Sequence, residues 1–106
     1  MVTYEQFSAL DLRVGTIIEA EPVIDADRLL RLVIDLGHEE RQVVAGIAEE
    51  YEAEKLIGTQ VVLIVNLESR EIKGLESQGM ILAASGDNGP VILMPEKPVA
   101  DGTTIK

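Results

Sequence analysis

The sequence predicts a single all-β domain, built as a small barrel of five strands with one helix between the third and fourth strands. Three observations support this prediction. The chain has 106 residues, which suits one domain, and 46% of them are apolar, which is enough to form a core. Short aliphatic runs alternate with turn signals along the chain. Between the third and fourth of these runs lies a segment with helical periodicity.

The first predicted elements are a short helix and two strands. Thr3, with Gln6 three residues later, forms a capping-box pattern that predicts a short N-terminal helix. The segment RVGTIIEAEPV is interpreted as the first strand, with Gly15 marking a bulge or a bend. A turn and the second strand are then predicted in DADRLLRLVIDLG.

A hairpin and a helix follow along the chain. Residues 37–39 form a predicted hairpin turn that leads into the third strand, RQVVAGI. The segment AEEYEAEKLIG is helical in pattern, and Gly58 after it is a stop signal. The acidic run at residues 49–54 is interpreted as the solvated face of this helix. The alternative for this run is a salt-adapted or partner-facing surface.

The last two predicted strands, VVLIVNL and GMILAAS, complete the barrel. Five strands with one helix after the third is the order of an OB-fold, a Greek-key barrel that binds oligonucleotides and other ligands. The predicted barrel covers about residues 11–85 of a single domain, 1–106. The C-terminal extension, about 86–106, contains a turn and two strand-like runs. It is not needed to close such a barrel and is predicted to have a separate role.

Charge and composition narrow the class of protein. The chain carries 9 basic and 19 acidic residues, a net charge of −10. Taken alone, this charge argues against nucleic-acid binding, because lysine and arginine supply most of the affinity for phosphate. The chain has no cysteine, so it makes no disulfide. Without a signal-peptide pattern or an apolar run of membrane-spanning length, the sequence predicts a cytoplasmic protein that has no membrane contact.

No catalytic or cofactor-binding constellation is predicted. His38 is the only histidine and lies in a predicted turn, where a solvated side chain is the simplest interpretation. Asp25 and Asp27 lack the further oxygen ligands, at fixed spacing, of a calcium loop. The glycines match neither a phosphate-binding loop nor a dinucleotide-binding fingerprint. The sequence therefore predicts no enzyme, no metal site and no cofactor.

The basic residues are distributed unevenly. In OB-folds, ligands lie across the second and third strands and are gripped by the first and last loops between strands. Five of the nine positive charges fall near that predicted face. Arg28 and Arg31 flank the second strand, Arg41 begins the third, and Arg70 and Lys73 lie in the loop between the last two barrel strands. The alternative is that these are the scattered surface arginines of any barrel.

Several ordered blocks of the sequence point to a known family. The blocks are DLRVGTIIEAE, ADRLLRLVIDLG, ERQVVAGIA, LIGTQVVLIVNL and LESQGMILAAS. From about Asp11 to Ala84 they resemble the tRNA-binding domain family. This family includes the C-terminal domain of bacterial methionyl-tRNA synthetases and free-standing tRNA-binding proteins. The resemblance implies an OB-fold that binds tRNA without strong sequence preference and catalyses no reaction. Because the domain nearly fills the chain, the chain resembles the free-standing type, in which the extension at about 86–106 would join a homodimer.

The resemblance also implies which residues contact RNA. In the family, basic and polar residues in the segment that corresponds to SREIKGLESQGM make these contacts. Arg70 and Ser77 match at their positions, and Arg28 stands where a basic residue usually precedes the second strand. The predicted RNA-binding residues are Arg28, Arg31, Arg41, Arg70, Lys73, Ser77 and Gln78.

Two positions depart from the family pattern. Glu71 occupies a position where the family commonly has lysine, which replaces one expected phosphate contact with a negative charge. Val23 and Ile24 replace a usual His-Pro pair. Gly74 and Gly79 within the same segment are predicted to let the backbone turn sharply or approach a ligand.

Three functional hypotheses follow from the sequence. The first is a dimeric accessory subunit that assists methionyl-tRNA synthetase by raising the local concentration of tRNA. The second is a peptide-binding export chaperone, because a chaperone branch shares this fold and much of the pattern. The third is a structural subunit that docks onto a synthetase through its acidic surface and has little affinity for RNA.

Overall fold

A computed structural model that describes residues 1–106 confirms the all-β fold. Its elements are α1 (Tyr4–Ser8), β1 (Leu12–Val23), β2 (Ala26–Asp35), β3 (Glu40–Ala45), α2 (Ala53–Leu56), β4 (Gln60–Ile64), β5 (Arg70–Ile72), β6 (Leu75–Ser77), β7 (Met80–Ile81), β8 (Ala83–Gly86), β9 (Gly89–Ile92) and β10 (Thr104–Ile105). The capping box at Thr3 is present and starts α1 as predicted. Neither helix has the length to span a membrane.

The main sheet is antiparallel and closes into an OB-like barrel. Its strands lie in the order β3-β2-β1-β4-β7, and β10 adds to β1. The two ends of the sheet meet where β3 contacts the segment that leads into β7. There the backbone N–H of Gln78 donates to the carbonyl of Gln42 at 2.7 Å, and the N–H of Val44 donates to Ser77 Oγ at 3.0 Å. The hairpins β5–β6 and β8–β9 form separate two-stranded sheets.

The core inside this barrel is aliphatic, in keeping with a sequence in which only 3% of the residues are aromatic. The largest fully buried side chains are Ile17, Leu30, Leu32, Ile34, Leu36, Val43, Val61 and Leu63. They come from β1, β2, β3 and β4 and from the residue that follows β2. Burying each such side chain contributes about 1.5–3 kcal/mol to the free energy of unfolding. This core fixes the barrel that carries the surface features described below.

Gly15 does not mark a bulge, contrary to the sequence-based prediction. It pairs in regular register with Val61, and the two irregularities of β1 lie between Ile17 and Glu19 and between Pro22 and Val23 instead. A Cβ at Gly15 would lie 2.5 Å from Ile34 Cγ2 and would also crowd the backbone of β2. Glycine is therefore needed here because β1 and β2 pack closely, and not because the strand bends.

The predicted helix after β3 is much shorter than its sequence pattern indicates. Only Ala53–Leu56 is helical, and Glu49 and Glu50 precede it in a turn. Tyr51 packs against the core, and its hydroxyl accepts a hydrogen bond from the N–H of Ile92. This tertiary contact holds the segment in a turn, so the acidic run is a solvated turn and helix rather than one helix face.

The C-terminal extension is more integrated with the barrel than predicted. The predicted fifth strand divides into β7 and β8, and β10 returns to pair with the start of β1. Ile92 is buried in the core, whereas its neighbours Val91, Leu93 and Met94 are exposed. Asp101 accepts a hydrogen bond from the Thr16 hydroxyl and so ties the tail to the middle of β1. The extension therefore completes the sheet as well as presenting an apolar surface.

Candidate nucleic-acid interface

The segment predicted as an RNA-contacting loop is an ordered β-hairpin. Strands β5 and β6 pair in register, with Ile72 opposite Leu75. The two residues between the strands, Lys73 and Gly74, both have positive φ, at 53° and 79°. Two successive positive φ values define a type I′ turn, which matches the twist of a hairpin. The turn places the Lys73 side chain at the tip and confirms that Gly74 allows a sharp reversal. The Lys-Gly pair between two short runs was the sequence signal for this turn.

Gly79, at the base of the same hairpin, serves the fold rather than a ligand. A Cβ at this position would lie 2.8 Å from the carbonyl oxygen of Ile64. Such a distance is below any ordinary van der Waals contact, so only glycine lets β7 begin beside β4. The close approach predicted for Gly79 is real, but its partner is the protein's own backbone.

The two faces of the hairpin differ in charge. Residues directly opposite in an antiparallel pair share a face, and successive residues alternate between faces. Arg70, opposite Ser77, is therefore on the face that looks toward the barrel, whereas Glu71 lies opposite Glu76 on the other face. Like charges directly opposite are destabilising. Glu71 is thus next to Arg70 in sequence but does not share its surface.

Most of the basic residues are already paired with carboxylates. Five of the nine lie within 4.0 Å of an acidic oxygen: Arg13, Arg28, Arg31, Arg41 and Lys55. The four cations without such a partner are Arg70, Lys73, Lys97 and Lys106. Two of these four are on hairpin β5–β6. The hairpin therefore carries two cations that no carboxylate neutralises by direct contact, so both can meet an anion.

Arg28 and Arg31 lie on β2 but differ in availability. Arg28 is highly exposed, and its Nε lies 3.4 Å from a carboxylate oxygen of Glu49. Arg31 is only 24% exposed, and its Nε donates to Gln42 Oε1 at 2.7 Å. The other end of the Arg31 guanidinium contacts Glu21 at 3.3 Å. An RNA phosphate would have to displace Glu21 to reach Arg31, whereas Arg28 is open to solvent.

Three of the predicted contact residues are used inside the protein. Ser77 is buried, accepts the Val44 N–H and donates to the carbonyl of Gly79. The Gln78 side chain accepts the N–H of Gln42 at 3.0 Å. These bonds close the barrel, so the hydroxyl and the amide oxygen are engaged. Ser77 is therefore unavailable to RNA, whereas the Gln78 side-chain NH2 makes no hydrogen bond within the protein and can still donate to a phosphate.

Arg41 is the third of these internally bonded residues. Its Nη1 donates to the carbonyls of Val65 and Gln78, at 2.8 and 2.9 Å, and its Nε bonds to Glu39. The hydrogen bond from Arg41 holds the pKa of Glu39 below its ordinary value, against a smaller opposing effect of desolvation. Glu39 therefore stays ionised, and Arg41 stays paired, throughout the neutral range.

Two depressions flank the hairpin. A cleft of about 480 Å³ lies between its tip and the β1–β2 turn, lined by Glu21, Pro22, Val23, Ile24, Arg31, Lys73 and Leu75. On the other side lies an apolar groove of about 450 Å³, with Leu29, Ile47, Ile81 and Pro90 in its wall and Arg70 among its lining residues. The hairpin thus carries one free cation into each depression. Ile24, whose side chain is exposed in the cleft wall, has no functional signal in the sequence.

Comparison with known proteins places this architecture in a family. The family described as "Putative tRNA binding domain" matches residues 12–104. Methionine–tRNA ligases from Methanothrix thermoacetophila and Archaeoglobus fulgidus are 51% and 46% identical over 106 and 104 residues, or 100% and 98% of this chain. The chain spans only 16% of the length of either relative.

Solved structures agree with the sequence matches. A MetRS-related protein from Pyrococcus horikoshii superposes with a TM-score of 0.93 at 30% identity, covering 100% of this chain and 98% of that chain. The chaperone CsaA from Bacillus anthracis superposes with a TM-score of 0.91 at 34% identity, covering 100% of this chain and 99% of that chain. Because the family matches nearly the whole of this chain, the chain belongs to the tRNA-binding domain family.

Proposed function

We propose that this chain binds tRNA through hairpin β5–β6 and the adjoining surface of β2, without base-specific recognition and without catalysing a reaction. The observation that carries the proposal is that Arg70 and Lys73, two of the four cations with no carboxylate partner, project from this one hairpin. Family membership supplies the class of ligand. Because both contacts would be made to phosphates, they would position the RNA without specifying its sequence.

The number of cations on the hairpin sets how steeply the affinity for tRNA falls as the salt concentration rises. The segment 66–79 carries two positive residues and three negative ones, Glu68, Glu71 and Glu76. Each phosphate neutralised by lysine or arginine contributes about −0.9 to the slope of log K against log salt concentration. Two such contacts give a slope of about −2. Between 50 and 200 mM salt, such a slope lowers the affinity roughly 16-fold.

Binding to tRNA is the direct test. In fluorescence anisotropy, labelled tRNAs of different identity are expected to bind with similar affinity, and log K is expected to fall with log KCl concentration with a slope of about −2. A single tRNA bound far more tightly than the rest would contradict phosphate-based recognition. No binding of any tRNA at low salt would reject the proposal as a whole.

We infer further that the chain acts beside a methionyl-tRNA synthetase. Its sequence relatives are named methionine–tRNA ligases, of which it matches a segment of 16%. A domain that holds tRNA near a catalytic domain raises its effective concentration there without contributing catalytic groups. By itself, the chain is expected to show no methionine activation and no ATP hydrolysis. Pyrophosphate exchange dependent on methionine, measured with the purified chain, would contradict this expectation.

Exposed apolar residues at the end of β9 support a homodimer. Val91, Leu93 and Met94 are exposed next to one another at the end of β9, although they are apolar. Exposed apolar residues at a sheet edge favour pairing with another chain unless they are covered. We expect sedimentation equilibrium at micromolar concentration to give twice the chain mass, and Leu93→Glu to give a monomer. A wild-type monomer, or a dimer that Leu93→Glu leaves intact, would contradict this interface.

Peptide binding is a second candidate function, favoured by the apolar groove beside the hairpin. Nine of the fifteen residues that line this groove are hydrophobic. A peptide held there would be bound by apolar contact and would tolerate high salt, whereas RNA binding weakens as salt rises. Binding of an unfolded polypeptide at high salt, abolished by Leu29→Asp, would favour this function over RNA binding.

A further inference from the structure

The base of hairpin β5–β6 is spanned by a single side chain. Arg41, on β3, donates from the same Nη1 to the carbonyl of Val65 at 2.8 Å and to the carbonyl of Gln78 at 2.9 Å. Val65 immediately follows β4, and Gln78 immediately follows β6. One guanidinium nitrogen therefore joins the two points at which the chain leaves the barrel and returns to it.

The other attachments of the hairpin each hold only one of its two ends, among them the backbone bond from Gln78 to Gln42. Strand β5 pairs only with β6, so it has no partner in the main sheet. On the β6 side, Ser77 bonds to Val44, and the Gln42 side chain donates to the carbonyl of Glu76 at 2.8 Å. At the end that leads into β5, the Val65 N–H donates to the carbonyl of Asp11 and the Asn66 side chain bonds to Ala9 and Asp11. Arg41 holds the carbonyl of Val65. Arg41 is thus the side chain that bonds to both ends of the hairpin, at Val65 and at Gln78.

We propose that Arg41 is a positioning residue for RNA binding, which sets the angle at which the hairpin presents Arg70 and Lys73. This inference rests on the proposed function, but it assigns Arg41 a role different from a phosphate contact. The Arg41 side chain is three-quarters buried and bonded to Glu39 and two carbonyls. It therefore acts on RNA only through the hairpin.

The chemistry of arginine suits this role and lysine does not. The planar guanidinium presents donors in a fixed fork, so Nε can hold Glu39 while Nη1 reaches both carbonyls. An ammonium is a single point of charge on a flexible stem and cannot satisfy these three acceptors in the same geometry. A direct phosphate contact, by contrast, needs mainly a positive charge, which lysine keeps.

Hydrogen exchange without RNA tests the anchoring step. In Arg41→Lys, the amides of Val65 and Gln78 are expected to exchange on the order of tenfold faster, the factor that corresponds to about 1.4 kcal/mol. The amide of Leu82, which donates to the carbonyl of Val62 outside the hairpin, is expected to keep its rate. Unchanged exchange rates of both the Val65 and the Gln78 amides would overturn the proposal, whatever the affinity for tRNA.

The affinity for bulk tRNA tests the positioning step. Arg41→Lys is expected to weaken binding on the order of tenfold, which is about 1.4 kcal/mol, although its net charge is that of the wild type. Lys73→Asn removes the tip charge and keeps the turn, because asparagine tolerates positive φ. In the double variant Arg70→Gln/Lys73→Asn, the further change Arg41→Lys is expected to cost nothing, because no cation is left to position. A wild-type affinity in Arg41→Lys, or an undiminished loss in the double-variant background, would overturn the proposal.

Two less disruptive variants test the same role of Arg41 if Arg41→Lys does not fold. Glu39→Gln weakens the contact that orients Arg41, and Glu40→Gln removes the same charge from an exposed neighbour on β3. Long-range electrostatics predicts equal gains in tRNA affinity from the two variants. Positioning predicts a lower affinity for Glu39→Gln than for Glu40→Gln, and equal gains would overturn it. A wild-type protein that binds no tRNA would contradict the proposed function itself. Hydrogen exchange at Val65 and Gln78, which needs no RNA, would still show whether Arg41 anchors the hairpin.

Discussion

Arg70→Ala is expected to weaken tRNA binding by about 1–3 kcal/mol, the range for loss of a charge-assisted hydrogen bond. Arg70 is exposed on the hairpin and has no carboxylate within 4.0 Å, so its charge is available to a phosphate. The loss is expected to be similar for different tRNAs, because a phosphate contact does not read sequence. The loss is also expected to shrink as salt rises, because the counterions released by the Arg70–phosphate contact contribute less to the affinity at high salt. Anisotropy titrations over a series of KCl concentrations measure both effects.

Glu71→Lys tests the opposite face of the same hairpin. It replaces a negative charge on the hairpin with a positive one, so binding is expected to tighten and its salt dependence to steepen by about one unit of slope. The structure adds a second effect. Glu71 lies opposite Glu76, so the substitution turns a repulsive pair into an attractive one, which stabilises the hairpin by about 0.2–1 kcal/mol.

A charge-matched control separates a local contact from the overall field. Glu52 is a poor control because it pairs with Lys55 at 3.1 Å, and its replacement would break that ion pair. Glu54, exposed on α2 and without an ion pair, makes the same change in net charge when replaced by lysine. A larger gain from Glu71→Lys than from Glu54→Lys supports a site on the hairpin. Equal gains would mean that RNA responds only to the net charge of the protein.

Gly102→Ala is expected to lower the free energy of unfolding by about 2–5 kcal/mol, from backbone strain and overpacking together. Gly102 has a φ of 87°, which favours glycine, and a Cβ there would overlap the carbonyl oxygen of Leu36. Its N–H donates to the carbonyl of Val14 at 2.7 Å, and its own carbonyl accepts from Arg13. The added methyl group would therefore push the tail away from β1. Urea unfolding followed by circular dichroism measures the loss.

Gly58→Ala is the matched control for Gly102→Ala. Gly58 has a φ of 92°, close to that of Gly102, but a Cβ there would meet nothing within 4 Å. It is expected to cost only the backbone strain, about 1–2 kcal/mol. Equal losses in the two variants would show that close packing of the tail against Leu36 contributes nothing to stability. A larger loss in Gly102→Ala than in Gly58→Ala, with faster exchange of the Val14 amide, would show that the tail is a structural part of the barrel.

Local patterns in the sequence determined the elements of the barrel and its family. The capping box at Thr3 and the aliphatic runs of the five main strands each act over a few residues, which is why their type could be read before any contact was known. The helical pattern after β3 was wrong in extent. The contact between Tyr51 and Ile92, 41 residues apart, overrides the local preference of that segment.

Only the tertiary structure decided which predicted site residues are free to meet a ligand. The sequence placed five cations near one face, but strand pairing brings Glu21 beside Arg31, 10 residues away, and neutralises it. Barrel closure buries Ser77, whose hydroxyl accepts the N–H of Val44. Arg41 is bonded to the two ends of the hairpin, at the carbonyls of Val65 and Gln78. A residue's type and position follow from its immediate sequence. Whether its charge or hydroxyl is available depends on the partners that sheet register brings from distant parts of the chain, which no local pattern records.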